Sequence, residues 1–565
     1  MTKHLLIMLS LTAFLIIKGY SQGTGDDERL REIVRKFGQA EVTIPYTDNK
    51  TLDYITRNVS ILSVRNKLVE ISLSPVTTEW FILQKIAYVI KEKADYKAVV
   101  TAANVSQVFE WDKYPTYSQY DSIMRSFVKL YPALCSLDTI GTSINGKLVL
   151  AIKISDNPGH VENEPEVFYS STMHGDEIGG YVLMLRLIDF LLKNYNNSNR
   201  VKNLIDNLGI WINPLANPDG TYGTGNDISY PTRFNANGVD LNRNFPDPLE
   251  PDIFQEKENN DMIKFMREHR FVLSANFHSG AEVVNYPWDR WLSKLHADNN
   301  WFNDISRNYA DTVHIYSGPG YMADLDNGVT RGAVWYLVYG GRQDFITQEL
   351  QGREVTIELD NQHITPSYQL SALWENNWHS LLGYLENALY GIHGLVLNSR
   401  SSAPVPAKIF IEGHDKDSSH VYSDTLTGNF VRFLSPGTWS LTFTANGFND
   451  TINDVVVLAG ERTDVIVNMT QITNPVDTII PKAPAIYPNP ATSEINVVLP
   501  DMITGAVNIK LISQSGKLLM DFDTEVFQGT PLTIDVRRLS SGTYSVVFTS
   551  SAKGITYVGR FIVIK

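Results

Sequence analysis

The chain of 565 residues contains a single cysteine, Cys135. That scarcity excludes an intramolecular disulfide and any Cys-rich zinc or iron–sulfur site, so a bound metal must be held by His, Asp and Glu. Positive charge is also short: 48 Lys and Arg stand against 62 Asp and Glu, a formal charge of −14. A chain this acidic lacks the basic footprint of a nucleic-acid binder. Long apolar runs are missing too. Leu5–Ile17 spans thirteen residues, short of the roughly 20 that a membrane-spanning helix needs. No later run is long enough to cross a bilayer, no period repeats, and no tract is of low complexity.

What is present suffices for packed cores. Apolar residues make up 43% and charged residues 19%, which excludes wholesale disorder. The length suggests about four domains. Lys3 and His4 precede the apolar run, and Gly19 and Ser21 supply small residues at −3 and −1 of a cut after Ser21. Residues 1–21 therefore read as a signal peptide, and the mature protein is expected outside the cytoplasm. No cysteine follows the run, which excludes a lipoprotein anchor there.

Residues 22–110 read as a small α+β N-terminal domain. Glu41–Tyr46, Leu68–Ser74 and Tyr96–Val100 have strand character, and Trp80, Leu83, Ile86, Ala87 and Ile90 recur at helical spacing between Thr78 and Lys93. No cluster of catalytic residue types lies here, so a prodomain covering an active site and a plain accessory domain both remain open. Residues 111–390 alternate strand and helix patterns. Strands are expected at Leu148–Ile154, Glu166–Ser170, Leu208–Asn213, Phe271–Phe277 and Glu354–Leu359, with helices around Tyr181–Tyr195 and Gln255–His269. This predicts an α/β domain with a mixed central sheet flanked by helices, its reactive groups in loops at strand ends. Residues 391–470 show short alternating runs broken by turn residues, a small β-sandwich. A linker is expected at 471–484, and a second small β-sandwich at 485–565.

Two His and one Glu stand out in YSSTMHGDEIGGY (169–181) and NFHSG (276–280): His174, Glu177 and His278. Such an N/O set suits zinc and leaves a position open for water. The spacing alone is weak, because an isolated H-x-x-E usually holds two unrelated turn residues. The surrounding motifs add to it: NPDG (217–220), Arg233, GVDLNRNFPD (238–247), NYPWD (285–289), GAVWYLVYGGRQD (332–344) and EVTIELDN (354–361). In this order they resemble the zinc carboxypeptidase family over residues 114–390. The likeness is to the regulatory branch with a transthyretin-like β-sandwich after the catalytic domain, the place that residues 391–470 take here.

That resemblance implies one Zn²⁺ held by His174, Glu177 and His278, with a zinc-bound water attacking the scissile carbonyl. It makes Glu358 the general base, Arg233 the group that polarises the carbonyl, Asn242 and Arg243 the grip on the terminal carboxylate, and Tyr336 the tyrosine that closes over substrate. Asp289 and Gln343 fall on the pocket for a C-terminal Lys or Arg. Read as bare residues, Asp289 could instead cap a turn after Pro287, Arg243 could form a surface ion pair, and Glu358 could be a buried charge in need of a partner, a cost that favours the functional reading. Ser279 departs from the branch, which carries Gly there, and it puts the exact subsite preference in doubt. Cys135 reads as a small core residue.

The tail, with AIYPNPATSEINVVL (485–499), Ser515-Gly516-Lys517, Leu539–Tyr544 and a terminal Phe561–Lys565, resembles the C-terminal sorting domain of the type IX secretion system. That resemblance implies contact with secretion machinery and release outside, or attachment to the surface of, a Gram-negative bacterium. The expected partners are peptide or protein C-termini, with no nucleic acid and no transmembrane helix. The leading expectation is a secreted zinc metallocarboxypeptidase preferring Lys or Arg. Two alternatives stand beside it: a cell-wall stem-peptide carboxypeptidase using the same chemistry, and a non-catalytic peptide-binding or adhesion protein.

Overall fold

The structure, a computed structural model, describes residues 24–91, 99–250, 253–472, 484–499, 504–550 and 555–565. The expected signal peptide and most of the expected linker lie outside these residues. The chain divides into two compact units, one ending at Gln471 and the other starting at Ile472. No helix among the described residues is long and apolar enough to cross a membrane.

The first unit begins with a four-stranded antiparallel sheet made of β1 (Ala40–Pro45), β2 (Ser60–Arg65), β3 (Leu68–Leu73) and β4 (Val89–Ile90), in the order β2-β3-β1-β4. Leu30 and Val34 of the helix Thr24–Phe37 complete its core. One expectation fails here. The helix starting at Thr78 stops at Leu83, Lys85 takes a left-handed φ of 54°, and Val89–Ile90 pairs with β1. Ile86, Tyr88 and Ile90 all pack on the core of this sheet. Their period is two, so the open edge of β1 wins them over the helical spacing. Of the expected strand Tyr96–Val100, residues 96–98 lie outside the described residues and Val99 and Val100 are not in a strand; Thr101 makes an isolated bridge to Tyr114.

The α/β domain follows. Its sheet comprises β5 (Cys135–Thr142), β6 (Leu148–Ile154), β7 (Glu166–Ser171), β8 (Gly209–Asn213), β9 (Phe271–His278), β10 (Ala281–Tyr286), β11 (Val329–Arg331) and β12 (Arg353–Asp360). The order is β11-β10-β12-β9-β7-β8-β6-β5, mixed in direction as expected. The central strands are buried on both faces. In β7, Val167 and Tyr169 join a core with the helices Gly179–Asn194 and Leu370–Glu386, whereas Phe168 joins a second core with the helix Lys257–Glu268. Side chains alternate across the pleat, which is why an unbroken apolar run marks a strand covered on both sides. Cys135 is buried in the first of these cores, and burial pushes its thiol up to about 12, so it is no nucleophile at neutral pH.

β13 (Gly391–Asn398) through β19 (Arg462–Met469), with β14 (Lys408–Phe410), β15 (Val421–Tyr422), β16 (Asn429–Arg432), β17 (Gly437–Thr444) and β18 (Thr451–Val457) between them, form a three-stranded and a four-stranded sheet around one apolar core. A buried charge node joins this sandwich to the α/β domain. Asp298 accepts hydrogen bonds from Arg353 (2.7 Å) of β12, from Arg432 (2.5 Å) of β16 and from His414 (2.9 Å). Burial alone would raise the Asp298 carboxyl, but Arg432 and Arg353 outweigh it and hold it well below the usual range. The second unit carries β20 (Ala485–Tyr487), β21 (Glu494–Val498), β22 (Gly505–Ser513), β23 (Leu518–Val526), β24 (Leu532–Asp535), β25 (Gly542–Ser550) and β26 (Ile555–Val563), again two sheets sharing one core.

The Asp298→Ala variant leaves two buried guanidinium groups short of their counter-charge. Its expected cost is about 3–5 kcal/mol, read as a lowered thermal midpoint of the transition that involves the sandwich. Because the folded Asp298 titrates low, this contribution is present above the unfolded carboxyl value of about 3.9 and is lost as pH falls below it. An unchanged midpoint at pH 7 would show that the node contributes nothing.

Candidate active site

β7, β9 and β12 lie parallel and adjacent, so their C-terminal ends open at one edge. His174 sits in the turn after β7, His278 is the last residue of β9, and Glu358 of β12 pairs directly with His278. Three segments spread over nearly two hundred residues thus deliver their side chains to one place. The turn after β7 is held by the NPDG segment. Asn217 accepts from Gly220 N and donates to the Met173 carbonyl. A side chain at Gly175 would come within 2.2 Å of the Gly220 backbone, so only glycine lets the two motifs approach.

At the centre, Glu177 Oε1 lies 2.8 Å from His174 Nδ1, Glu177 Oε2 lies 2.8 Å from His278 Nδ1, and the two Nδ1 atoms are 3.0 Å apart. All three residues are buried. His174 turns its Nε2 to Asp240 Oδ1 at 3.1 Å. A proton on Nε2 leaves the Nδ1 lone pair facing its counterpart on His278. Burial pushes the His278 imidazole down to about 4, and the two imidazoles hold Glu177 well below the usual carboxylate range although burial acts the other way. Two imidazole nitrogens and one carboxylate pointing at a common point are a donor set that fits a divalent cation.

Asp240 had no assigned role in the sequence, although it stands two residues before Asn242 in a motif already singled out. Besides His174, it accepts from Arg233 Nε at 2.8 Å and from the Ser60 hydroxyl at 2.6 Å. Arg233 also donates to Glu177 at 3.0 Å. Asp240 therefore aims one imidazole and one guanidinium together, a carboxylate–histidine arrangement typical of metal sites.

The remaining predicted residues line the same cavity: Asn242, Arg243, Asp289, Tyr336 and Glu358. Gln343 lies behind them and donates to Asp289 at 3.0 Å. Arg243 uses Nη1 on the Asn242 carbonyl, while its Nε and Nη2 are buried and have no protein partner among the described residues. Asn242 accepts the Arg342 N–H on its side-chain oxygen, which leaves the amide N–H₂ as donor. Burial raises the Asp289 carboxyl well above its ordinary value, and the neighbouring Asp344 adds to the shift. Burial and then Glu177 do the same to Glu358, whose Oε2 has no partner among the described residues. Ser279 donates its backbone N–H to Glu177 at 3.1 Å.

The first domain closes the cavity. Ile61 and Leu62 of β2 form part of its wall, and the space left inside is about 30 Å³, of the order of one or two water molecules. Gln39 donates to Asp176 at 2.8 Å and accepts from Arg233 N at 2.7 Å. Tyr336 packs on the first-domain core, Tyr339 donates to Asp53, and Arg57 stacks 4.0 Å above the Tyr339 ring. Nothing in residues 22–110 announces these contacts, since a lone Ser, Gln or Asp carries no motif.

Residues 120–380 match the zinc carboxypeptidase family, and residues 485–565 match the secretion system C-terminal sorting domain. Human carboxypeptidase N catalytic chain is 33% identical over 398 residues, covering 62% of this chain and 85% of that protein. The chain belongs to the zinc carboxypeptidase family. Human carboxypeptidase D is also 33% identical over 363 residues, but the chain spans only 26% of that longer protein. Among solved structures, carboxypeptidase A from Helicoverpa armigera superposes with a TM-score of 0.48 at 18% identity, over 62% of this chain and 97% of that one. Zinc carboxypeptidases depend on zinc, and this member carries a His–Glu–His group able to bind it. The sorting domain implies secretion or display at the cell surface.

The His174→Ala and His278→Ala variants are each expected to lose stoichiometric zinc, measured by elemental analysis after dialysis. Asp240→Asn is expected to keep the site but to weaken zinc binding by about 10–100-fold in a chelator competition. Undiminished affinity in Asp240→Asn would remove Asp240 from the support of the centre.

Proposed function

We propose that the protein is a secreted zinc carboxypeptidase that removes a C-terminal Lys or Arg from peptides or proteins and is held latent by residues 22–110. One observation carries the exopeptidase reading: a buried guanidinium, Arg243, presents two unpartnered N–H donors in the cavity that Asp289 and Glu358 also line. Such a fork matches a free carboxylate in bidentate fashion, and Asn242 adds an amide donor. Beyond it, the buried Asp289 carboxylate forms no ion pair among the described residues, Arg243 acting on it only at a distance, so a substrate ammonium or guanidinium supplies the partner.

Zinc held by His174, Glu177 and His278 would supply Lewis-acid polarisation and bring the pKa of water towards about 7. Glu358 is the base. Its carboxylate stands beside His278 with one oxygen uncommitted, takes the proton of the attacking water and delivers it to the leaving amine. Arg233, aimed by Asp240, faces the negative charge that grows on the carbonyl oxygen. Tyr336, Asn242 and Arg243 orient the substrate end.

Latency follows from volume. A cavity of about 30 Å³ does not admit an amino-acid residue, and the first domain fills the remainder with Ile61 and Leu62 while Ser60 and Gln39 tie it to Asp240, Asp176 and Arg233. Release of that domain opens the cleft. The sorting tail carries the protein through type IX secretion to the surface or surroundings of a Gram-negative cell.

A panel of peptides differing only in the last residue tests the reading. Arg- and Lys-terminated peptides are expected to be cleaved and Phe-terminated ones poorly, with a zinc chelator stopping release. Glu358→Gln is expected to retain zinc while kcat falls by about 10²–10⁴; a near-wild-type kcat would unseat Glu358 as base. Asp289→Asn is expected to cost basic substrates about 100-fold in kcat/KM and others little. For latency, a protease site placed between residues 91 and 99 is expected to raise kcat/KM by at least about tenfold when cut; equal activity before and after cutting would make the first domain an accessory.

A further inference from the structure

The Asp289 side chain sits on a loop, and loops do not hold a buried charge in place by themselves. Here the loop is pinned from below. The carboxylate of Asp344, itself buried in the helix Arg342–Glu349, accepts the backbone N–H of Asp289 on Oδ1 at 3.0 Å and that of Arg290 on Oδ2 at 2.9 Å. Lesser ties complete the hold. Val338 N donates to the Asp289 carbonyl at 3.1 Å, and the Arg290 guanidinium reaches Asp247 at 2.8 Å. The neighbouring Gln343 fixes the Asp289 carboxylate.

We infer that Asp344 is the positioning residue of the side-chain pocket, clamping two consecutive amides of the Asp289 loop and thereby aiming the Asp289 carboxylate at a basic substrate side chain. The inference rests on the proposed preference for Lys and Arg. It accounts for an arrangement that is otherwise costly. Two acidic side chains, Asp289 and Asp344, are buried close together, and burial pushes Asp344 up to about 7 while the two amides work against that rise. An apolar residue would fill the space of Asp344 without a buried charge, but it would leave both amides unpaired and the loop untethered. An asparagine has one acceptor oxygen, so it serves one amide and opposes the other with its own N–H₂ group. The facing position is restricted too. A Cβ on Gly332 would lie 1.6 Å from Asp289 Oδ1 and 2.7 Å from Asn285 Oδ1, so only glycine at 332 leaves room for the carboxylate where the clamp holds it.

Two measurements on the zinc-loaded protein, the first on the intact chain, test the clamp. First, backbone hydrogen exchange: in the wild type the amides of Asp289 and Arg290 are expected to be protected like those of a strand. In Asp344→Asn at least one is expected to exchange about tenfold or more faster while the amides of β9 and β12 keep their protection. Loop-like exchange at both amides in the wild type overturns the inference without any variant having to fold. Second, kinetics on chain cut at the engineered site between residues 91 and 99 with both fragments retained. Asp344→Asn is expected to raise KM for an Arg-terminated peptide about tenfold at nearly constant kcat, and to change KM for a Phe-terminated peptide little. A merely structural role would lower kcat for both substrates together. If the wild type prefers basic ends and Asp344→Asn keeps the same Arg-to-Phe ratio, the clamp is wrong and the specificity reading stands. If the wild type shows no basic preference, the specificity reading fails, and the inference about aim falls with it.

Discussion

Two imidazole nitrogens 3.0 Å apart, facing one carboxylate in a site closed to solvent, form an arrangement that is unfavourable unless a cation shares all three donors. The rest of the catalytic domain is organised around keeping that cluster in place. Parallel pairing of β7, β9 and β12 brings the donors to one edge. Asp240 sets the tautomer of His174 and at the same time the direction of Arg233. A glycine-to-glycine contact between two distant motifs fixes the turn that carries His174 and Glu177. Weakening any of these is felt at the metal before it is felt in the fold, because the cluster depends on geometry over a few tenths of an ångström whereas the cores are large.

Buried charge recurs at three levels of this molecule, each time with a defined hold. The metal cluster is shielded by Asp240 and Arg233. The side-chain pocket contains Asp289, steadied by Gln343 and Asp344. The junction between the α/β domain and the β-sandwich is centred on Asp298, gripped by Arg353 and Arg432. Desolvated charges are expensive when unpaired, so each site specifies one geometry. At the junction the carboxylate is met by two guanidinium groups and an imidazole of the chain itself. At the side-chain pocket Asp289 accepts from Gln343 and forms no ion pair among the described residues, the feature on which the proposed preference for a basic substrate end rests.

The first domain connects these sites to control. It does not sit on the enzyme through an apolar patch alone. Ser60 donates to the same Asp240 oxygen that receives Arg233 Nε, Gln39 accepts from the Arg233 backbone N–H, and Tyr336 packs against the first-domain core. On the proposed reading, latency and substrate binding are alternative states of the same residues.

Much of this was readable in one dimension, and for definite reasons. The central strands announce themselves because both faces are buried, and the metal ligands because His174, Glu177 and His278 lie in motifs whose glycines and asparagines the fold needs nearby. The helix expected through Ile90 was misjudged because residues spaced for a helix also alternate for a strand, and the free edge of β1 decided between them. Asp240, Gln39, Ser60 and Asp344 were opaque, since each acts through a partner dozens to hundreds of positions away and none has a local signature. The sequence by itself determined the candidates on offer: the donor set, the proposed base and guanidinium, and the order in which they come. Only the tertiary structure decided that two imidazoles share a carboxylate, that one aspartate steers both a ligand and an arginine, and that the first domain fills the cleft. Those outcomes depend on distances between segments far apart in the chain, and such distances are set by packing.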